Sequence, residues 1–156
     1  MSDINKADKA VEKISTYLGY LGLLPFYICL LLSQIVNNEQ LEPHSLIVSI
    51  QQAFVFYSAI ILSFMSGTLW QKETSKKQVK LQLLSNVLCL IAFACLLMPV
   101  FYTLIILPIT YAGLLLTEYR LRFQQQITLT ASYIKMRLIL TLLVVLSHIT
   151  ALLLWY

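Results

Sequence analysis

Four stretches of this sequence contain no Asp, Glu, Lys or Arg, and the longest of them, Leu81 to Thr117, runs for 37 residues. The others are Ile14 to Asn38 with 25 residues, Pro43 to Gln71 with 29 and Leu138 to Tyr156 with 19. About 20 apolar residues cross the hydrocarbon core of a bilayer, so each stretch has crossing length. A single helix of the longest stretch would be roughly 55 Å long against a core of about 30 Å, so that stretch has to fold back on itself. Pro99 lies near its centre, in Met98-Pro99-Val100-Phe101-Tyr102, where the missing amide and the restricted preceding residue end one helix and begin the next. The expectation is an all-α membrane protein, a bundle of five transmembrane helices over about 15–36, 46–70, 80–98, 102–119 and 137–156.

Charge tests the count independently, because Lys and Arg gather on the cytoplasmic side of short loops. With five spans, the N-terminal segment (Lys6, Lys9, Lys13), the second loop (Lys72, Lys76, Lys77, Lys80) and the fourth (Arg120, Arg122, Lys135, Arg137) share one side, which then holds all 11 basic residues. With four spans the split becomes 7 against 4. The five-span reading places the N-terminus in the cytoplasm and the C-terminus in the periplasm. The net charge of +4 is then a topology signal and not a nucleic-acid footprint.

Only 12% of the residues are charged, against about 25% in soluble domains. A water-soluble globular domain is excluded, and the whole chain, 1–156, reads as one transmembrane domain. Residues 1–14 form a cytoplasmic interfacial segment in which Ile4, Ala7, Val11 and Ile14 recur at helical spacing. Arg120 to Met136 mixes apolar residues with Arg and Gln as an interfacial connector. The outer face is reduced to an acidic loop, Asn37 to Ser45, and the turn at Pro99. The first apolar stretch exceeds a signal-peptide core and lacks a cleavage pattern, and the N-terminus is not that of a transit peptide, so a bacterial cytoplasmic membrane is the expected address. Trp155 and Tyr156 suit the outer headgroup belt, and Trp70, Tyr17, Tyr119 and Tyr133 the inner one.

Few residues carry chemistry. Cys29, Cys89 and Cys95 lie within spans without a Cys-x-x-Cys spacing and read as small buried hydrophobes. His148 is the one histidine inside a span; a neutral ring bonded across the bundle, on the stripe of Thr141, is preferred over a proton relay, and His44 in the outer loop gives it no partner for haem. No cofactor, metal or nucleic acid is expected. Ala59, Ser63 and Gly67 form a small-residue stripe that marks the second span as the central packing helix. Gln51 and Gln52 near its outer end face headgroups and water.

In the fourth span Thr103, Thr110 and Thr117 share one face around Pro108, as a packing seam or, in a bolder reading, a solute path. Pro25 in the first span frees the Leu21 carbonyl. Counting depth from the inner face brings Trp70, Asn86, Glu118 and Arg137 to one level, a polar corner in which a Glu118–Arg137 pair ties two helices together and a partner protein or headgroup has a place to dock.

Three segments complete the picture: Leu18-Gly19-Tyr20-Leu21-Gly22-Leu23-Leu24-Pro25-Phe26, Tyr57 to Trp70 (YSAIILSFMSGTLW) and Arg137-Leu138-Ile139-Leu140-Thr141. Together they resemble the family called domain of unknown function 3429, which includes bacterial inner-membrane proteins and the mitochondrial transmembrane protein 69. The resemblance runs from about Tyr17 to His148, with the stretch up to Trp70 its most specific part. This sequence has Ser66 where the family pattern has a second glycine and Leu69 where it often has His or Arg. The resemblance implies a small five-span protein of energy-transducing membranes, and it marks Gly22, Pro25, Ser63, Phe64, Gly67, Trp70, Arg137 and Thr141. It implies no activity.

The functional expectation is a non-enzymatic accessory, assembly or scaffold protein for a larger membrane complex, with the bilayer and another membrane protein or a second copy as partners. The alternative is a small homo-oligomeric transporter or channel that passes a proton or small solute by His148 and the threonines. An intramembrane enzyme built on Ser63 and His148 ranks last.

Overall fold

The computed structural model describes residues 14, 16–38, 44–71, 78–123 and 131–156. Five helices follow in order: α1 (Leu24–Asn38), preceded by helical residues 16–21, α2 (His44–Gly67), α3 (Gln78–Leu96), α4 (Val100–Phe123) and α5 (Ala131–Trp155). A 3₁₀ turn over Thr68–Gln71 extends α2. All five are long and apolar enough to cross a membrane, α1 together with the helical residues before it. The described residues contain no strand.

The fold-back at Pro99 is a tight hairpin. α3 ends at Leu96, and the first turn of α4 forms as Tyr102 and Thr103 donate their amides to the Pro99 carbonyl at 3.1 and 3.3 Å. The Thr103 hydroxyl reaches across the hairpin to the Cys95 carbonyl at 2.9 Å, which also accepts the Met98 amide at 3.3 Å.

The first span is broken where a kink is expected. Pro25 has no amide, and the Phe26 and Tyr27 amides both turn to the Leu23 carbonyl, at 3.1 and 3.4 Å. The Gly22 carbonyl thereby loses its helical donor and accepts the Tyr57 hydroxyl of α2 at 2.8 Å. The break around Pro25 thus leaves an acceptor, one residue on from the Leu21 carbonyl that the missing amide frees, and this acceptor ties the span to its neighbour.

Helix α2 packs against α1, α3 and α4, and α5 closes the ring by packing on α4 and α1. At Gly19 a Cβ would lie 2.9 Å from Leu140 Cδ1, so the chain preceding α1 meets α5 across a glycine. Phe26, Phe54, Leu62, Leu69, Leu107, Tyr111 and Leu114 fill the centre, while large apolar side chains such as Phe64, Phe93 and Leu153 point outward, as a lipid-facing surface requires.

Two helices run past the ends that charge-free stretches set for them. α4 continues to Phe123 and α5 begins at Ala131, so Glu118 and Arg137 lie inside helices rather than at their ends. The expected connector is helical at both margins, and its centre, like the expected segment 1–14 apart from Ile14, lies outside the described residues.

Candidate functional site

Polar side chains in this bundle fall into two groups. The first is a relay of hydrogen bonds at mid-bundle. Tyr111 of α4 donates its hydroxyl to the Ser58 carbonyl of α2 at 2.7 Å. The Ser58 hydroxyl lies 3.0 Å from His148 Nε2, and His148 Nδ1 lies 2.8 Å from the Val144 carbonyl one turn earlier in α5. A carbonyl only accepts, so Nδ1 carries the proton; a neutral ring then accepts at Nε2 from Ser58. Phe26 and Phe54 enclose the imidazole with ring centroids at 5.8 and 5.0 Å. Ser58 and His148 are both 0% exposed, so the relay is sealed within the bundle.

The second group sits where α4 ends and α5 begins. Arg137 directs Nε and Nη2 to one carboxylate oxygen of Glu118, each at 2.9 Å, with Glu118 0% and Arg137 5% exposed. Placing a charge in hydrocarbon is costly, and pairing is what lets both helices carry these residues inside the bundle. Arg137 also lines a crevice of about 380 Å³ between the chain around Gly19 and Gly22, the second half of α2 and the first half of α5. Apart from Arg137, Tyr111, Tyr133, Thr68 and Thr141, its walls are apolar or glycine.

The remaining residues of the expected corner are placed differently. Asn86 is exposed on α3 and turns away from the ion pair, because depth along a helix fixes a level but not a direction around it. The Trp70 backbone lies in the 3₁₀ turn, and its side chain lies outside the described residues.

The small-residue stripe of α2 is corrected at one end. Ala59 is buried and Ser63 half-buried, but a Cβ on Gly67 would meet nothing within 4 Å. The face turned inward runs instead through Val55, Ser58, Leu62, Ser66 and Leu69.

The threonine seam of α4 bonds to its own backbone. Thr110 donates to the Ile106 carbonyl at 2.8 Å and Thr117 to the Gly113 carbonyl at 2.9 Å, while Thr103 serves the hairpin. Ser63 and His148 do not meet; the Ser63 carbonyl accepts from Ser66 at 2.8 Å, and the ring faces Ser58. Gln52 is exposed and Gln51 half-buried, while Cys95 is buried and Cys29 and Cys89 half-buried. Trp155 packs edge-on against Phe54 with centroids 5.5 Å apart, whereas Tyr17, Tyr119 and Tyr156 are exposed and Tyr133 is half-buried.

With the geometry in place, comparison with known families is informative. A family model described as "Protein of unknown function (DUF3429)" matches residues 11–153. The chain belongs to this family. No curated protein and no solved structure matches it. In this DUF3429 chain, the Ser66 hydroxyl donates to the Ser63 carbonyl at 2.8 Å and lies 3.1 Å from Cys89 Sγ. Leu69 is fully buried.

Sequence reasoning missed Tyr57, Ser58 and Tyr111. Each is a hydroxyl in an apolar span with its partner on another helix, so periodicity within one span carries no sign of it. The one available signal for Tyr57 is the Gly22–Pro25 pair, which announces a free carbonyl in the facing helix.

Proposed function

We propose that this multi-pass membrane protein is a non-enzymatic accessory or scaffold subunit of a larger complex in a bacterial cytoplasmic membrane, with its N-terminus in the cytoplasm and its C-terminus in the periplasm. The observation that carries the reading is the pair Gly67 and Gly113. Gly113 lies inside α4, where a glycine costs about 0.5–1 kcal/mol relative to alanine, and Gly67 is the last residue of α2 before the 3₁₀ turn. Neither position needs a left-handed backbone, and a Cβ at either would meet nothing within 4 Å, so internal packing does not account for them. Glycines on a lipid-facing surface let another helix approach closely.

The sealed state of Ser58 and His148 supports the same reading, because neither lines the crevice or is exposed to a substrate or a solute. The seam threonines, each bonded to a backbone carbonyl, likewise offer a passing solute little.

The test is purification of a chromosomally tagged protein in mild detergent, beside a Gly67→Leu, Gly113→Leu double variant. A stoichiometric membrane partner in the wild type, reduced about tenfold or more in the variant, is expected for a close helix contact. A partner-free, monodisperse protein overturns the reading. If that species is a homo-oligomer, proton or solute flux in proteoliposomes that vanishes with His148→Leu assigns it to transport.

A further inference from the structure

The crevice beside α5 serves no part of the accessory role. Its volume of about 380 Å³ falls at the lower end of small-molecule sites. Exposed Leu18 and Phe64 lie among its lining residues, so it opens sideways toward hydrocarbon.

Its polar groups separate into those that are used and those that are not. Tyr111 donates to Ser58, Thr68 donates to the Met65 carbonyl at 2.8 Å, and Tyr133 has a partner. Arg137 gives Nε and Nη2 to Glu118, and among the described residues its Nη1 has no hydrogen-bond partner. Thr141, one turn further along α5 and 4% exposed, is the exception among the described threonines: its hydroxyl makes no hydrogen bond, while Thr68, Thr103, Thr110, Thr117 and Thr150 each donate to a carbonyl. Among the described residues the one fully buried side-chain donor without a partner is Trp155 Nε1; Arg137 Nη1 and the Thr141 hydroxyl stay accessible on the crevice wall, where a ligand with acceptors at both levels would pair them.

Those levels are about 6 Å apart along the helix, with Arg137 nearer the end of the bundle and apolar Val144 and Phe26 beyond Thr141. An occupant therefore presents an anionic oxygen first, a neutral acceptor second and an aliphatic chain third. The charge around the mouth agrees. Lys80, Arg120 and Lys135 are exposed at this end, and the one acidic side chain among the described residues, Glu118, is already taken by Arg137.

We propose that the crevice binds one acyl chain of an anionic phospholipid, with the phosphate on Arg137 Nη1 and the glycerol ester carbonyl on the Thr141 hydroxyl. The site is a property of this chain alone and stands whether or not the protein has a protein partner.

Native mass spectrometry of delipidated protein titrated with phosphatidylglycerol or phosphatidylcholine of equal chain length tests it. One phosphatidylglycerol bound about tenfold more tightly than phosphatidylcholine is expected, because both offer a phosphate and an ester carbonyl but the choline cation of the latter meets the basic rim of Lys80, Arg120 and Lys135. Thr141→Val keeps the volume and removes the hydroxyl, and lowers that affinity about threefold. Arg137→Lys keeps the charge but loses the Nη1 donor, and lowers the affinity for phosphatidylglycerol about tenfold in protein whose helical circular dichroism is unchanged. Equal binding of the two lipids overturns the proposal, as does phosphatidylglycerol affinity unchanged by Thr141→Val. A neutral isoprenoid recovered at one per chain from the native membrane extract overturns it as well. Should Arg137→Lys fail to fold, the lipid comparison and Thr141→Val decide the matter.

Discussion

At mid-bundle, Tyr111, Ser58 and His148 pass hydrogen bonds from helix to helix until the last donor ends on the Val144 carbonyl. At the basic end, Arg137 gives two donor positions to Glu118 and turns a third toward an open crevice that Thr141 shares. Both groups are buried and both contain an ionisable residue, which inside a membrane marks a functional candidate by default. The comparison teaches that burial of a polar group in such a bundle is a weaker guide than whether its bonding capacity is used up. The histidine that draws attention in the sequence is closed in by its neighbours, whereas the arginine that looks like a structural tie retains a donor for something else.

The largest expected effect breaks the second region. Arg137→Ala removes the guanidinium that Glu118 meets inside the bundle and should cost about 3–5 kcal/mol. Thermal unfolding in detergent would show it, and the double variant Glu118→Leu, Arg137→Leu should recover most of the loss. An unchanged melting temperature for Arg137→Ala would mean that the pair is solvated rather than buried. Next in size is His148→Leu, which keeps the apolar contacts with Phe26 and Phe54 but strands the Ser58 hydroxyl, at about 1–2 kcal/mol. If the relay is structural, this variant loses stability and keeps its partner in the purification; loss of partner or flux at unchanged stability would make the histidine functional after all. Smallest is Tyr111→Phe, at about 0.6 kcal/mol, the average for a hydrogen bond between membrane helices. A loss several times larger would mean that the relay acts as one cooperative unit.

Much of this architecture is legible in the sequence. Charge-free stretches and the distribution of lysine and arginine define five helices, and Pro99 marks the hairpin. The errors have physical causes. Reading a helix end at its first charged residue fails where two charges neutralise each other inside the bundle, as Glu118 and Arg137 do. Depth brings Asn86 to the level of that pair, but the missing angle around α3 turns it outward. Gly67 shares spacing with Ala59 and Ser63 yet drifts off the packed face, because four residues advance about 400° around a helix and the stripe turns away by roughly 40° at each step. The open donors at Arg137 and Thr141 leave no pattern at all, since an unused hydrogen bond is defined by everything that surrounds it.

The order in which the chain is made gives the ion pair a temporal side. Glu118 leaves the ribosome 19 residues ahead of Arg137. At about 5–20 residues per second, roughly one to four seconds pass in which α4 has been synthesised and its counter-charge has not. Throughout that interval the Glu118 side chain, lacking the guanidinium, is held at the water-lipid boundary or shielded by the insertion machinery. Completion of the last helix therefore does more than close the ring: it delivers the guanidinium that neutralises Glu118 inside the bundle.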